Sequence, residues 1–381
     1  MLPIPSPDAL AHSQRVTAHL QSLIQHAGGW ISFAQFMEAA LYAPGLGYYA
    51  AGAMKFGAAG DFVTAPELTP LFGRTLAQAI APVLRDTGGE ILELGAGSGK
   101  LAVDVLGELA QLDALPTRYC ILEVSADLRA RQQERIAHER PELASHVQWL
   151  DALPAQFSGV ILGNEVFDAL PVELVHWTEA GPQVRGVRLE GEQFAWQDRP
   201  IDDPVLRARA DALNLAPGYL SEINLAADAL IASLGHSLER GLILLIDYGF
   251  AAGEYYHPQR HMGTLRAHYR HHALDDPFYL PGLCDLTAHV DFSALAQAGV
   301  AAGLDLAGYA SQANFLLNTG LTELLMQTPP SDAAAFLPQS NAVQRLVSPA
   351  EMGDLFKVMG LGKGLEVSLA GFARGDRQHS L

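Results

Sequence analysis

Residues 90–100 read Glu-Ile-Leu-Glu-Leu-Gly-Ala-Gly-Ser-Gly-Lys. The first five suit a short buried strand, and three glycines then fall at every second position, 95, 97 and 99. Apolar residues return at helical spacing from Gly99 to Leu109. Glycine lets the chain turn sharply where a side chain would collide with a ligand, and the helix that follows presents unpaired N–H groups at its start.

Several ligands compete for such a loop. A phosphate cradle of the form GxxxxGK[ST] fails, because Leu94 stands five residues before Gly99 and Leu101 follows Lys100. A dinucleotide loop needs its third glycine one residue later. The shorter GxGxG suits S-adenosylmethionine, which has no pyrophosphate to cradle. A glycine-rich turn without a ligand is the remaining alternative. Glu123, at the end of YCILEV, is placed to accept hydrogen bonds from two ribose hydroxyls, or else stands as a solvated acid at a strand end. Asp151, after VQWL, stands where an adenine amino group would lie, and it reads equally as a helix cap. Glu93 completes the loop's acidic shoulder.

Outward from the loop, short β-type runs alternate with helices: EILEL, YCILEV, VQWL, GVILGN and LILLID, with helices over 99–109 and 126–137 between the first three. This is the pattern of an α/β, Rossmann-like, mostly parallel sheet covered on both faces. Residues 172–197 break it with three β-like runs read as an inserted meander, and a helix over 221–239 restores it. Residues 248–290 show no clear period. A helix spans 292–301, helical stretches lie around 312–326 and 341–347, and a closing strand is expected near 366–372. The N-terminal part is helical over 9–27 and 32–41, then runs into a Gly- and aromatic-rich loop.

The chain has 381 residues, 49% of them hydrophobic and 17% charged, which excludes disorder and fibrous folds. At roughly 150 residues per domain it holds two or three domains, or one with insertions. Its net charge of −18 repels phosphate backbones, so nucleic acid is not an expected partner. No basic segment leads into an apolar run at the N-terminus, and no stretch approaches a membrane span, so a bacterial cytoplasmic location without membrane insertion is expected. Cys120 and Cys284 lack metal-site spacing, and no metal is expected; the histidines of 257–272 are interleaved with arginines.

GVILGNEVFDALPVE places Asn164, Glu165 and Asp168 past a buried strand, at the edge where ligands of open α/β sheets bind. A helical turn there would bring Glu165 and Asp168 to one face, able to grip a planar guanidinium, or merely to decorate a helix start. Asp247 joins that rim. His289 precedes Asp291, which reads equally as an N-cap.

Seven ordered blocks now bear on the assignment: LYAPGLGYYA (41–50), KFGAAGDFVTAPELTPLFG (55–73), LELGAGSGKLA (92–102), GNEVFDALPVE (163–173), IDYGF (246–250), GTLRAHYRHH (263–272) and DLTAHVDFS (285–293). Together they resemble the MidA-like, DUF185 methyltransferases, relatives of the mitochondrial complex I assembly arginine methyltransferase. Ala65 and Phe56 depart from the serine and tyrosine frequent in that family. The resemblance implies a class I methyltransferase fold with a seven-stranded sheet and S-adenosyl-L-methionine as methyl donor. On that basis 1–86 is a helical region with a cofactor-covering loop, and 87–381 is the methyltransferase domain with insertions at about 172–220 and 248–290.

The expected cofactor residues are Glu93, Gly95, Gly97, Gly99, Glu123, Asp151, Asp61 and Thr64, with Glu67 as a further lid contact. Asn164, Glu165, Asp168 and His289 are the expected catalytic set. A protein arginine in a respiratory complex I subunit is the candidate acceptor, and a homodimer the candidate assembly. A small-molecule methyltransferase, a cofactor-binding assembly factor and a nucleotide-dependent oxidoreductase are the alternatives.

Overall fold

The computed structural model describes residues 2–51 and 64–381. The chain forms two compact units. One gathers 1–62, 168–228 and 252–289; the other gathers 63–167, 229–251 and 290–381.

The second unit is built on one sheet. Its strands run in the order Asp305–Ser311, Phe356–Lys363, Leu238–Phe250, Phe157–Asn164, Glu90–Leu94, Tyr119–Leu122 and Val147–Leu150, with the two-residue strand Val290–Asp291 beside Leu238–Phe250. The last five of that path pair in parallel, while Phe356–Lys363 pairs antiparallel to both of its neighbours. Strands covered on both faces become continuously apolar, as Leu242 to Ile246 do, each at most 1% exposed. Helices Pro70–Thr87 and Lys100–Gln111 supply Leu76, Ile80, Val83, Val105 and Leu109 to the same core. Pro70–Thr87 starts under a Thr69 cap and stops at Gly88, whose φ of 58° is the left-handed end that glycine permits.

The strand expected near 366–372 lies instead at Phe356–Lys363, and Ala370–Phe372 is a 3-10 turn. Glycines at 360 and 362 disguise the strand in sequence. A Cβ at Gly308 would lie 2.0 Å from the Phe372 ring and one at Gly360 2.9 Å from it, so these glycines flatten two neighbouring strands for an aromatic lid. Phe372 also meets Phe315, ring centre to ring centre, at 5.1 Å.

The first unit holds a five-stranded antiparallel sheet of Trp30–Ser32, Gly181–Glu190, Glu173–Thr178, Leu220–Ile223 and Gln193–Pro200, and a three-stranded sheet of His272–Leu274, Arg266–Tyr269 and Asp285–Thr287. The meander is therefore present. The helix expected from 221 begins at Leu225, because Leu220–Ile223 pairs with Glu173–Thr178. Helices Pro7–His26 and Phe33–Tyr42 cover the first of these sheets, the latter started by a Ser32–Gln35 capping box. Val16, Leu20, Phe36, Val187, Tyr269 and Leu286 share one core, although they come from three separate stretches of chain. Among the described residues no helix is long and apolar enough to cross a membrane.

Truncating Phe372 to Ala leaves a void over two glycines that cannot fill it. The variant is expected to lose about 3–5 kcal/mol of stability, read as a lowered midpoint in urea denaturation of the second unit's signal.

Candidate active site

All parallel strands of the second unit end on one edge, so the residues that follow them converge: Gly95 after Leu94, Glu123 after Leu122, Asp151 after Leu150, and Asn164 as the last residue of its strand. Gly95, Gly97 and Gly99 take φ of 57°, 51° and 80°, the left-handed region closed to most side chains. A Cβ at Gly97 would meet nothing within 4 Å, whereas one at Gly99 would press on Gln132 at 3.3 Å. The loop is thus open on one side and packed on the other. Ser98 Oγ accepts the Lys100 amide at 3.3 Å and donates to Glu67, which also faces Arg135 at 3.6 Å. The segment after Thr64 therefore touches the glycine loop through Glu67. Thr64 itself caps the short helix Ala65–Leu68 without a side-chain bond. Asp61 lies outside the described residues.

Glu123 is buried. Its Oε1 accepts the Ser125 amide and its Oε2 accepts Gln132 Nε2, both at 2.9 Å. Burial raises its carboxyl above the usual range, partly offset by those amide donors. A carboxylate offers about four lone-pair directions, so room remains for ligand hydroxyls. Next to it Val124 leaves an apolar side chain 79% exposed. Asp151 is ion-paired to Arg129 at 2.6 Å with its side chain largely in solvent.

Sequence reasoning missed Gln132, Trp149 and Val124. Gln132 sits in helix Ala126–Glu139 on the Leu128, Gln132, Ile136 stripe and is fully buried. A polar residue on the core stripe of an otherwise polar helix was the available signal.

Around Glu165 the structure departs from expectation. Residues 165–170 form a bend and turn with no helix, and Glu165 itself has a φ of 52°. The shared helical face proposed for Glu165 and Asp168 does not exist. What holds the bend is Asp247, which is 1% exposed. Its Oδ2 accepts the Val166 and Phe167 amides at 3.2 and 2.9 Å, its Oδ1 accepts the Tyr248 amide at 2.9 Å, and Glu165 N donates to Ile246 O at 2.9 Å. Left-handed backbone at a glutamate costs on the order of 1 kcal/mol and persists only when its surroundings enforce it. Asn164 Nδ2 donates to Glu165 at 3.3 Å, while its buried Oδ1 has no hydrogen-bond partner among the described residues.

Asp168 and His289 belong to the first unit, where the Ala288 amide donates to Asp168 O at 2.9 Å and the His289 amide donates to Thr264 Oγ1 at 3.0 Å. Asp291 is the N-cap of helix Phe292–Ala301, accepting from Ser293 and Ala294.

A family model described as "Putative S-adenosyl-L-methionine-dependent methyltransferase" matches residues 73–310. The chain belongs to this methyltransferase family. A crystal structure of a COG1565 superfamily member from Burkholderia thailandensis, bound to S-adenosyl-homocysteine, is 51% identical, covers 100% of both chains and superposes with a TM-score of 0.97. A native crystal structure of a protein of that superfamily from the same organism is 50% identical, with a TM-score of 0.95 over all of both chains. The mitochondrial protein arginine methyltransferase NDUFAF7 of Danio rerio is 28% identical over 91% of this chain and 86% of its own length. The Homo sapiens protein of that name is 29% identical over 90% and 82%. The fold is the class I methyltransferase fold, with the antiparallel Phe356–Lys363 strand inserted near one edge of an otherwise parallel sheet.

Strand Glu90–Leu94, which leads into the glycine loop, carries one strongly displaced acid. Burial, reinforced by the nearby Glu123 charge and opposed by a 2.8 Å hydrogen bond from Tyr119, pushes the Glu93 carboxyl up to about 7 from 4.5. Because the folded value is the higher one, the folded state holds this proton more tightly. The stability that this one group contributes is then greatest below pH 4.5, falls as pH rises through 7, and is lost above. Glu93→Gln is expected to remove that slope. The stability of the variant relative to the parent should rise by about 3 kcal/mol between pH 4.5 and 8, measured by urea denaturation across that range.

Proposed function

We propose that this methyltransferase modifies a guanidinium nitrogen of a protein arginine, using S-adenosyl-L-methionine. The supporting observation is the pair Asn164 and Glu165. Asn164 Nδ2 donates one N–H to Glu165, which sets two acceptors side by side at the sheet edge, the buried Asn164 carbonyl oxygen and the Glu165 carboxylate. Two adjacent acceptors select a ligand rich in N–H, and a planar cation with several donors in fixed geometry answers that need. The relatives named as protein arginine methyltransferases support the same reading.

The residues present fit the cofactor. The open side of the glycine loop gives a sulfonium nucleoside close access to backbone, Glu123 receives the ribose hydroxyls on its remaining lone pairs, and Val124 offers an apolar face to the base. When bound, the cofactor supplies an electrophilic methyl group on positive sulfur.

Glu165 then has two tasks. Its negative charge lowers the repulsion between a cationic acceptor and a cationic donor in a site with little water. Its carboxylate would also accept an N–H of the acceptor, orient the nitrogen, and take the proton released as the N–C bond forms and the methyl's S–C bond breaks, its electron pair leaving with sulfur as S-adenosylhomocysteine. The Asp247 clamp keeps the backbone of Glu165 in the conformation that aims it.

Replacing Glu165 by Gln should leave S-adenosylhomocysteine affinity within about two-fold in calorimetry while methyl transfer falls on the order of a hundred-fold or more. Undiminished transfer would remove Glu165 from this role. Incubating the protein with methyl-labelled cofactor and lysate of its source cells, then hydrolysing the labelled protein, is expected to release methylarginine. Label confined to a small metabolite would overturn the protein-arginine reading.

A further inference from the structure

We infer that Gln132 is a positioning residue for the cofactor's sugar: it aims the Glu123 carboxylate and ties it to the glycine loop, so that preference for a ribose diol depends on a residue with no assigned contact to the ligand. This rests on the cofactor reading of Glu123 given above.

The orientation of the Gln132 amide is determined without ambiguity. Trp149 can only donate, and its Nε1 lies 2.9 Å from Gln132 Oε1. The NH2 group must therefore face the other way, where its two hydrogens go to Gly97 O and Glu123 Oε2, each at 2.9 Å. One side chain thus joins four parts of the unit: helix Ala126–Glu139, strand Val147–Leu150, the glycine loop and the acid after Tyr119–Leu122. Gln132 is 0% exposed, so each of these bonds is made away from solvent.

The consequence falls on Glu123. Its Oε1 is set by the Ser125 amide of its own turn, but its Oε2 is set by a residue from the following helix. Without the Gln132 donor the carboxylate keeps only the backbone amides of its own turn, Val124 and Ser125, and can swing about its last torsion, a broad one for glutamate. A rotated carboxylate cannot offer an oxygen to each of two vicinal hydroxyls. The Gly97 carbonyl loses its partner in the same step, so the turn under the nucleoside loosens as the sugar grip fails.

The test compares S-adenosylhomocysteine with its 2′-deoxyribose counterpart, titrated calorimetrically into the full chain. The unmodified protein should favour the ribose form about ten-fold, as expected for one hydrogen bond to a charged group. In Gln132→Met, close in shape but without donors, S-adenosylhomocysteine binding should weaken about ten-fold and the ribose preference should shrink below about two-fold. A packing role alone would weaken both ligands by one factor and leave the preference intact, and that result overturns the inference. Should Gln132→Met fail to fold, Trp149→Phe decides. It frees the Gln132 carbonyl without touching the donors, and is expected to narrow the preference in part; an unchanged preference again overturns the inference. If the unmodified protein binds neither ligand, or binds both alike, the fault lies with the reading of Glu123 as the ribose acid and not with Gln132.

Discussion

The turn after strand Glu90–Leu94 can be made only with three left-handed backbone positions in five residues, and the site follows from that constraint. Glycine at 95, 97 and 99 makes the conformation accessible and leaves no side chain at those three positions between the backbone and a ligand. The packed face of the turn must then be held from elsewhere. Gln132 does this from the next helix, pressed against Gly99 and bonded to Gly97 O. A loop with glycine at every second position gains access for a ligand and depends on its neighbours for rigidity.

An acid solves a similar problem at the end of the neighbouring strand, Phe157–Asn164. Glu165 stands in a backbone conformation that disfavours it, and Asp247 gathers three amides around it with a single buried carboxylate. In sequence Asp247 reads as one more acid on the rim. In the structure it is inside, and its work is done on the backbone of 166–167 and 248. The two buried polar groups, Gln132 and Asp247, hold the loops that follow two neighbouring strands of the sheet, and both are satisfied by hydrogen bonds, as burial of polar groups requires.

Much of the second unit was legible. Strands as apolar as Leu242–Ile246 announce themselves by composition, and GxGxG after one of them marks the first turn. The place of Glu123 at the end of the second strand was legible because chain order sets it. The strand Phe356–Lys363 was not found, since its glycines read as turns until Phe372 is seen lying across them. Glu165 and Asp168 were placed on one helical face from their spacing of three, and a left-handed residue at 165 cancels that periodicity.

The sequence by itself determined the alternation of strands and helices, the glycine turn and the acids that end the strands, because each depends on residues close together along the chain. Only the tertiary structure decided that three distant segments condense into one unit, that Gln132 serves the loop and the acid at once, and that Asp247 faces inward. Those outcomes depend on which buried donor meets which buried acceptor and on which strands pair. Such choices are settled by distances across the core, to which the spacing of residues along a chain is blind.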